Sequence, residues 1–249
     1  PQAETQGSDR QIFSRAKRSK LRSQAAELDS GPCPAYQNGM RSPFEHVRPL
    51  ILASSSPRRQ MFLRDQGLEF TVLAAEGPEP APVAHEDPAA FALRVAGHKA
   101  RSALDRLASG VPTAGTAPLV LAADTIVVLD GDILGKPSSE EHALAMLTRL
   151  AGNTHTVVTA CCLHPADAEP LCFADSARVT FASWPEALLR SYVATGEPLD
   201  KAGAYGIQGK GAFLAERIEG SWSTVVGLPM SRTMSALLAL GALRLRSAA

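Results

Sequence analysis

The sequence predicts an α/β fold with a mixed central sheet, on three observations. Strand-like apolar runs and helix-like periodic segments alternate from about residue 50 to residue 240. The longest run, Leu119–Leu129, ends at Asp130-Gly131, a hairpin signal that adds antiparallel pairing to the sheet. No apolar run approaches the roughly 18 residues of a membrane span, and no segment repeats.

Each element has a local reason. Leu50–Ala53 reads as a short buried strand, and Ser56-Pro57 behind it pairs an N-cap residue with a favoured first helical residue. That helix should run to Gln66 and stop at Gly67. Asp87-Pro88 opens a second helix reaching Ser109, with Gly110 after it. Ser138–Leu150 reads as helix, Thr156–Leu163 and Leu171–Phe181 as strands, and Pro185–Thr195 as a helix ended by Gly196. Phe213–Ile218 is expected to be a strand and Pro229–Leu240 a final amphipathic helix.

Composition narrows the function classes. Of 249 residues, 45% are apolar and 20% charged, with 25 basic side chains against 25 acidic. That balance argues against bulk nucleic-acid binding, which needs a basic face, but not against a local phosphate pocket. Residues 1–45 are polar and form an expected disordered N-terminal extension, with the folded domain over 46–249. Residues 1–48 carry eight basic and five acidic side chains, a net +3, so the remainder carries −3. With no leader pattern at the start and no C-x-x-C among Cys33, Cys161, Cys162 and Cys172, we expect neither disulfide framework nor zinc site. The expected setting is a reducing, cytoplasmic one without membrane attachment.

Four places break their local pattern. Arg58 and Arg59 put positive charge into the first turn of a helix, where a bound polyanion would reverse the unfavourable sign; two solvated surface arginines are the plainer reading. Asp124 lies inside Leu119–Leu129, a run otherwise apolar except for Thr125, so it must be paired, bonded to backbone or bound to a metal. Lys99 shares a helix face with Phe91, Val95 and Ala103, and either snorkels to water or reaches a phosphate. Asp200–Gly211 packs four glycines beside Lys201, Tyr205, Ile207 and Gln208, a loop through which backbone can approach a ligand. Gly131–Ser138 is one residue short of a P-loop and has Pro137 after the lysine, so it is not one. His98 and His155 read as structural.

These places coincide with recognisable motifs. They are Leu52-Ala-Ser-Ser-Ser-Pro-Arg-Arg59, Lys99-Ala-Arg101, Ala123-Asp-Thr125, Gly135-Lys-Pro137, Leu150-Ala-Gly152 with His155-Thr-Val157, Gly196-Glu-Pro198, Asp200–Gly209 and Val226-Gly-Leu-Pro229. In this order the chain resembles the Maf family of nucleoside triphosphate pyrophosphatases over about 50–245. The resemblance implies an inosine-triphosphatase-like arrangement of two lobes around a cleft, and hydrolysis of a nucleoside triphosphate to monophosphate and pyrophosphate. It implies a divalent metal, Mg²⁺ or Mn²⁺, and a homodimer as the common assembly. Carried onto this sequence, Asp124 is the proton acceptor and a metal ligand, Lys99 and Lys136 neutralise the leaving group, and Ser56, Arg58 and Lys201 bind substrate. Glu79 is the expected second acidic ligand, although its Pro-rich setting departs from the family pattern. The Ser-Pro-Arg-Arg and Tyr-Gly-Ile-Gln forms resemble the subgroup acting on dTTP and UTP, with Arg59, Thr125 and Gln208 near the base. The same chemistry on 7-methyl-GTP, or a non-catalytic regulator of division, stands as the alternative.

Overall fold

The computed structural model describes residues 41–109 and 116–247. The segment expected as an N-terminal extension lies outside the described residues up to Met40, and strand β1, Phe44–His46, begins two residues inside its expected end. β1 is held by an antiparallel ladder to β9, Leu243–Leu245, with Phe44 opposite Leu245. Two three-residue strands so far apart in sequence leave no local signal, so neither was expected.

The main sheet has the order β3-β2-β4-β6-β7-β8, with β5 also paired to β4. Its strands are β2 Leu50–Leu52, β3 Thr71–Val72, β4 Leu119–Leu129, β5 Asp132–Leu134, β6 Thr154–Pro165, β7 Leu171–Phe181 and β8 Ala215–Glu219. β2 runs parallel to β3 and β4, and the remaining pairs are antiparallel, giving the expected mixed sheet. The hairpin between β4 and β5 turns at Asp130 and Gly131, both with positive φ, the two-residue geometry that suits the twist of the strands.

The helices are α1 Pro57–Asp65, α2 Pro88–Ala108, α3 Glu140–Leu150, α4 Glu186–Val193, α5 Trp222–Val226 and α6 Met230–Ala239. The Asp87 carboxylate caps α2 by accepting from Ala90 N–H at 2.9 Å. Phe213, expected in a strand, instead sits in a 3₁₀ turn, Gly209–Leu214, that leads into β8.

The core divides along the long strands. Alternate residues Val120, Ala122 and Ile126 of β4 pack against Phe91, Val95, Ala100 and Ala103 of α2. Leu119, Leu121 and Ala123 face α1 and α6, while Val127 and Leu129 belong to a second core with α3, α4 and the aromatic residues Phe181 and Tyr205. β4, β6 and β7 therefore bridge two packed lobes. Truncating a side chain such as Phe91 should cost about 3–5 kcal/mol of stability.

One edge of β4 is shared. β2 pairs with Leu119–Leu121 and β5 pairs with Val127–Leu129. Among the described residues, 122–126 have no strand partner on that edge, and this is where Asp124 and Thr125 lie. β6 pairs the other edge throughout, Asp124 opposite Ala160.

The cysteine expectation needs one correction. The register of β6 on β7 sets Cys162 opposite Cys172 with Cα atoms 4.1 Å apart, and the two form a disulfide. They are ten positions apart in sequence, so only the strand pairing brings them together. Cys161 points to the opposite face and is buried as a free thiol.

Candidate active site

The gap beside β4 opens into a cleft of about 710 Å³. Its lining takes Ser54–Arg59 from the β2–α1 junction, Glu79, Lys99 from α2, Asp124–Val127 from β4, Gly135-Lys136 after β5, and part of the 200–207 loop. Segments more than 140 residues apart in sequence thus meet at the free stretch of β4.

Asp124 is buried on the α2 side of the sheet. An isolated carboxylate there would be costly; Lys99 answers it with an ion pair of 2.7 Å, both side chains only 12–14% exposed. Lys99 Nζ also contacts Glu79 at 2.9 Å, whose side chain is 61% exposed. Partial burial alone would raise the Glu79 carboxyl, but the hydrogen bond from Lys99 and the charges of Lys99, Lys136 and Arg59 outweigh it and hold it below the usual carboxylate range. Lys99 therefore does not snorkel into bulk water; it is fixed between two carboxylates at the cleft.

The N-terminus of α1 has no acidic residue in its first turn and no side-chain cap. The Ser56 hydroxyl does not cap the helix as its position suggests; instead Ser56 N–H donates to Ser54 Oγ at 3.3 Å. The positive end of the helix and the first-turn amides stay open toward the cleft. Arg58 Nε makes one long contact, 3.4 Å, to the Val226 carbonyl. Lys136 is exposed and has no ion pair among the described residues.

Arg59 differs. Its Nε donates to the Gly227 carbonyl at 2.8 Å, one terminal nitrogen to Ser54 Oγ at 3.0 Å and the other to Thr125 Oγ1 at 3.0 Å. Burial pulls its pKa below the ordinary value, with Asp124 the largest opposing charge. Thr125 lies 2.9 Å from Thr159 Oγ1, which donates to the Thr224 carbonyl at 2.8 Å. Arg59 and Thr125 border the cleft, but these donors and acceptors are spent on the protein.

Lys201 lines the cleft, with its ammonium on Asp200 Oδ1 at 2.6 Å and the Glu197 carbonyl at 2.7 Å. Residues 203–206 are buried, but the chain then runs extended at Gln208 (φ −104°, ψ 154°) and emerges at Gly209. Gln208 follows Ile207 of the cleft lining and is half-buried; its expected place beside the base stays a proposal. His155 is structural as expected, with Nε2 2.9 Å from the buried Tyr205 hydroxyl.

Gly196-Glu-Pro198 and Val226-Gly-Leu-Pro229 carry no role that the sequence alone reveals. In the structure the Val226 and Gly227 carbonyls receive the two arginines, and Glu197 ties down the glycine-rich loop. The motifs were visible; their partners are 13 to 168 residues distant.

Fold and cleft together define an α/β protein with a buried carboxylate–lysine pair in a cleft bordered by an open helix N-terminus and further cationic side chains. The Maf-like protein family matches residues 49–240, and the chain belongs to that family. It is 48% identical over 201 residues to a dTTP/UTP pyrophosphatase of Nitratidesulfovibrio vulgaris, covering 81% of this chain and 92% of that one. A dTTP/UTP pyrophosphatase of Oleidesulfovibrio alaskensis is 49% identical over 197 residues, 78% of this chain and 86% of that one. That of Desulfotalea psychrophila is 48% identical over 194 residues, with 77% and 94% covered. A solved nucleoside-triphosphatase, a dITP/XTP pyrophosphatase of Mycobacterium abscessus, overlaps 77% of this chain and 97% of its own at 14% identity and a TM-score of 0.35, too slight a likeness to argue from. No helix among the described residues is long and apolar enough to cross a membrane.

Proposed function

We propose that this chain hydrolyses dTTP and UTP to the nucleoside monophosphate and pyrophosphate. The observation that carries the reading is Asp124, a buried carboxylate held 2.7 Å from Lys99 at the floor of a cleft bordered by an open helix N-terminus and by Arg58 and Lys136. The names of relatives at 48–49% identity support the choice of nucleotide.

In this reading the first-turn amides of α1, Ser56 and Arg58 hold the triphosphate, with Arg58 gripping two oxygens at once. Asp124, an acceptor-only group when ionised, takes the proton of the attacking water as the new O–P bond forms. The α–β anhydride bond breaks and pyrophosphate leaves with the electron pair. Lys99 and Lys136 meet the charge that builds on it. Lys201 contributes a further cation from the loop.

A divalent cation, Mg²⁺ or Mn²⁺, fits the donor set at Glu79 and Asp124. Both carboxylates already converge on one positive charge, Lys99 Nζ. Among the described residues no cluster of three or more His, Cys, Asp or Glu forms a protein-only site. One or two carboxylates completed by phosphate oxygens and water is the usual way Mg²⁺ is held. When bound, the ion would neutralise phosphate charge. A homodimer and a cytoplasmic setting belong to the same proposal and rest on the family alone.

The test is pyrophosphate release with Mg²⁺ or Mn²⁺ over canonical and modified triphosphates, beside nucleotide-binding measurements. Turnover of dTTP and UTP is expected. Tight binding without release from any triphosphate would replace the enzyme by a nucleotide-binding regulator.

A further inference from the structure

The cleft lining sorts by chemistry. The polyanion-binding groups come from the β2–α1 junction, α2 and the turn after β5, with Lys201 at the head of the loop after α4. The loop after α4 and the C-terminal end of α5 contribute an apolar set, Ala202, Tyr205, Gly206, Ile207, Val225 and Val226. A triphosphate laid along the charged groups leaves its base and sugar to the apolar ones.

That loop has little regular structure of its own. It runs through short 3₁₀ turns and four glycines between Gly203 and Gly211. It is held instead by two side chains that stay out of the cleft lining. The Glu197 carboxylate accepts from Lys210 N–H on Oε2 and from Gly211 N–H on Oε1, each at 3.0 Å. The hydroxyl of the buried Tyr192 donates to Glu197 Oε1 at 3.0 Å and accepts from Gly206 N–H at 3.1 Å. Gly209 has φ +82°, a backbone conformation that disfavours a side chain, and a Cβ there would lie 3.0 Å from Glu197 Oε2, so loop and carboxylate approach closely. Burial would raise the Glu197 carboxyl, but the amides and the phenol more than offset it and keep it below its ordinary value.

We propose that Glu197, with Tyr192, is a positioning residue for the nucleoside half of the substrate: the carboxylate–phenol clamp fixes the loop that forms the apolar wall of the cleft. The proposal rests on the pyrophosphatase reading for its substrate. The Glu197 side chain bonds none of the polyanion-binding groups, and the 2.7 Å bond from Lys201 goes to its backbone carbonyl, which truncation leaves in place, so loss of the carboxylate should weaken the grip on the nucleoside and spare the grip on phosphate.

The experiment compares the parent protein with Glu197→Ala and Tyr192→Phe on dTTP, with inorganic tripolyphosphate as a competitive probe that has no nucleoside. For Glu197→Ala, KM for dTTP should rise about tenfold with kcat within about threefold, the pattern of lost ground-state binding. The tripolyphosphate inhibition constant should stay within about twofold of the parent's, because only shared phosphate contacts set it. Amide exchange at Lys210 and Gly211 should accelerate while exchange in β4 and β6 stays slow. Tyr192→Phe, which removes a single hydroxyl, should shift KM and exchange the same way by less, and carries the test if Glu197→Ala does not fold. Equal weakening of dTTP and tripolyphosphate, or a fall in kcat at constant KM, would overturn the proposal. If the parent releases no pyrophosphate, the pyrophosphatase reading fails separately. The clamp is then judged by dTTP affinity: a tenfold loss in Glu197→Ala supports it and unchanged affinity overturns it.

Discussion

Arg58 and Arg59 are sequence neighbours at one helix start, yet they belong to different regions. Arg58 has one long contact to a carbonyl and faces the cleft. Arg59 is the head of a buried polar chain that crosses the sheet through Thr125, Thr159 and Thr224 to Asp175 on β7. Arg58 and Lys136 in the cleft keep most of their hydrogen-bonding capacity unspent, while Lys99 and Lys201 there are paired to carboxylates. The chain behind it holds polar groups whose capacity is consumed by the protein. An unspent group can change partners as substrate binds; a spent one must break a protein bond first, at the cost of an unsatisfied buried partner. The contrast separates groups fitted for chemistry from groups that keep the cleft's shape.

The first way to break that contrast is Asp124→Asn. The amide keeps the shape and cannot serve as a proton acceptor. Turnover should fall about a thousandfold with nucleotide binding retained, within the range general-base catalysis supplies. Pyrophosphate release beside equilibrium binding measures it, and retained turnover would move the base elsewhere.

The second way probes the buried side. His155 is 2% exposed, packed edge-on to Phe181 and Tyr205, and burial lowers its pKa to about 4 from 6.5. The unfolded chain therefore takes up the proton first. The contribution is fully present above about pH 6.5 and is lost as pH falls toward 4, by about 3 kcal/mol in all. Denaturant unfolding across pH 4–7 should show this slope, and His155→Gln should flatten it while lowering stability at pH 7.

The two regions were unequally legible. β4 was readable to the residue because eleven consecutive positions carry one pattern, and Asp124 stood out as the lone carboxylate in it. Lys99 was visible as an interruption of a helical stripe, but its choice between solvent and cleft depended on a partner 25 residues away. Arg59 carried no sign of its fate. It looks like Arg58 in sequence, and its acceptors lie on the Gly227 carbonyl and on Thr125. The path of the glycine-rich loop was hidden for a related reason: it is set by Glu197 and Tyr192, outside the motif itself. Charge in a broken pattern is a local signal; saturation of hydrogen bonds is a tertiary property.

The third way to test the comparison is Arg59→Lys. One ammonium cannot reach the Gly227 carbonyl, Ser54 and Thr125 with the geometry of a planar fork. Leaving one or two of these acceptors short should cost about 2 kcal/mol. In a domain of this size that lowers Tm by about 4–8 °C in a thermal melt.

Arg58→Lys is the smallest and most discriminating case. The same substitution one residue earlier removes only the 3.4 Å contact to the Val226 carbonyl, so Tm should stay within about 1 °C of the parent. What it removes is the two-pronged grip on phosphate, which an ammonium replaces as a point charge. KM for dTTP should rise about three- to tenfold with kcat little changed. The KM ratio between variant and parent should hold as salt is raised, because both side chains carry one charge and their attraction to phosphate is screened alike. If Arg58→Lys instead melts as early as Arg59→Lys, the two arginines share one structural task and the division between cleft and buried chain is wrong at the point where it is sharpest. If it leaves both Tm and KM unchanged, Arg58 is a solvated side chain and the open N-terminus of α1 holds the phosphates without it.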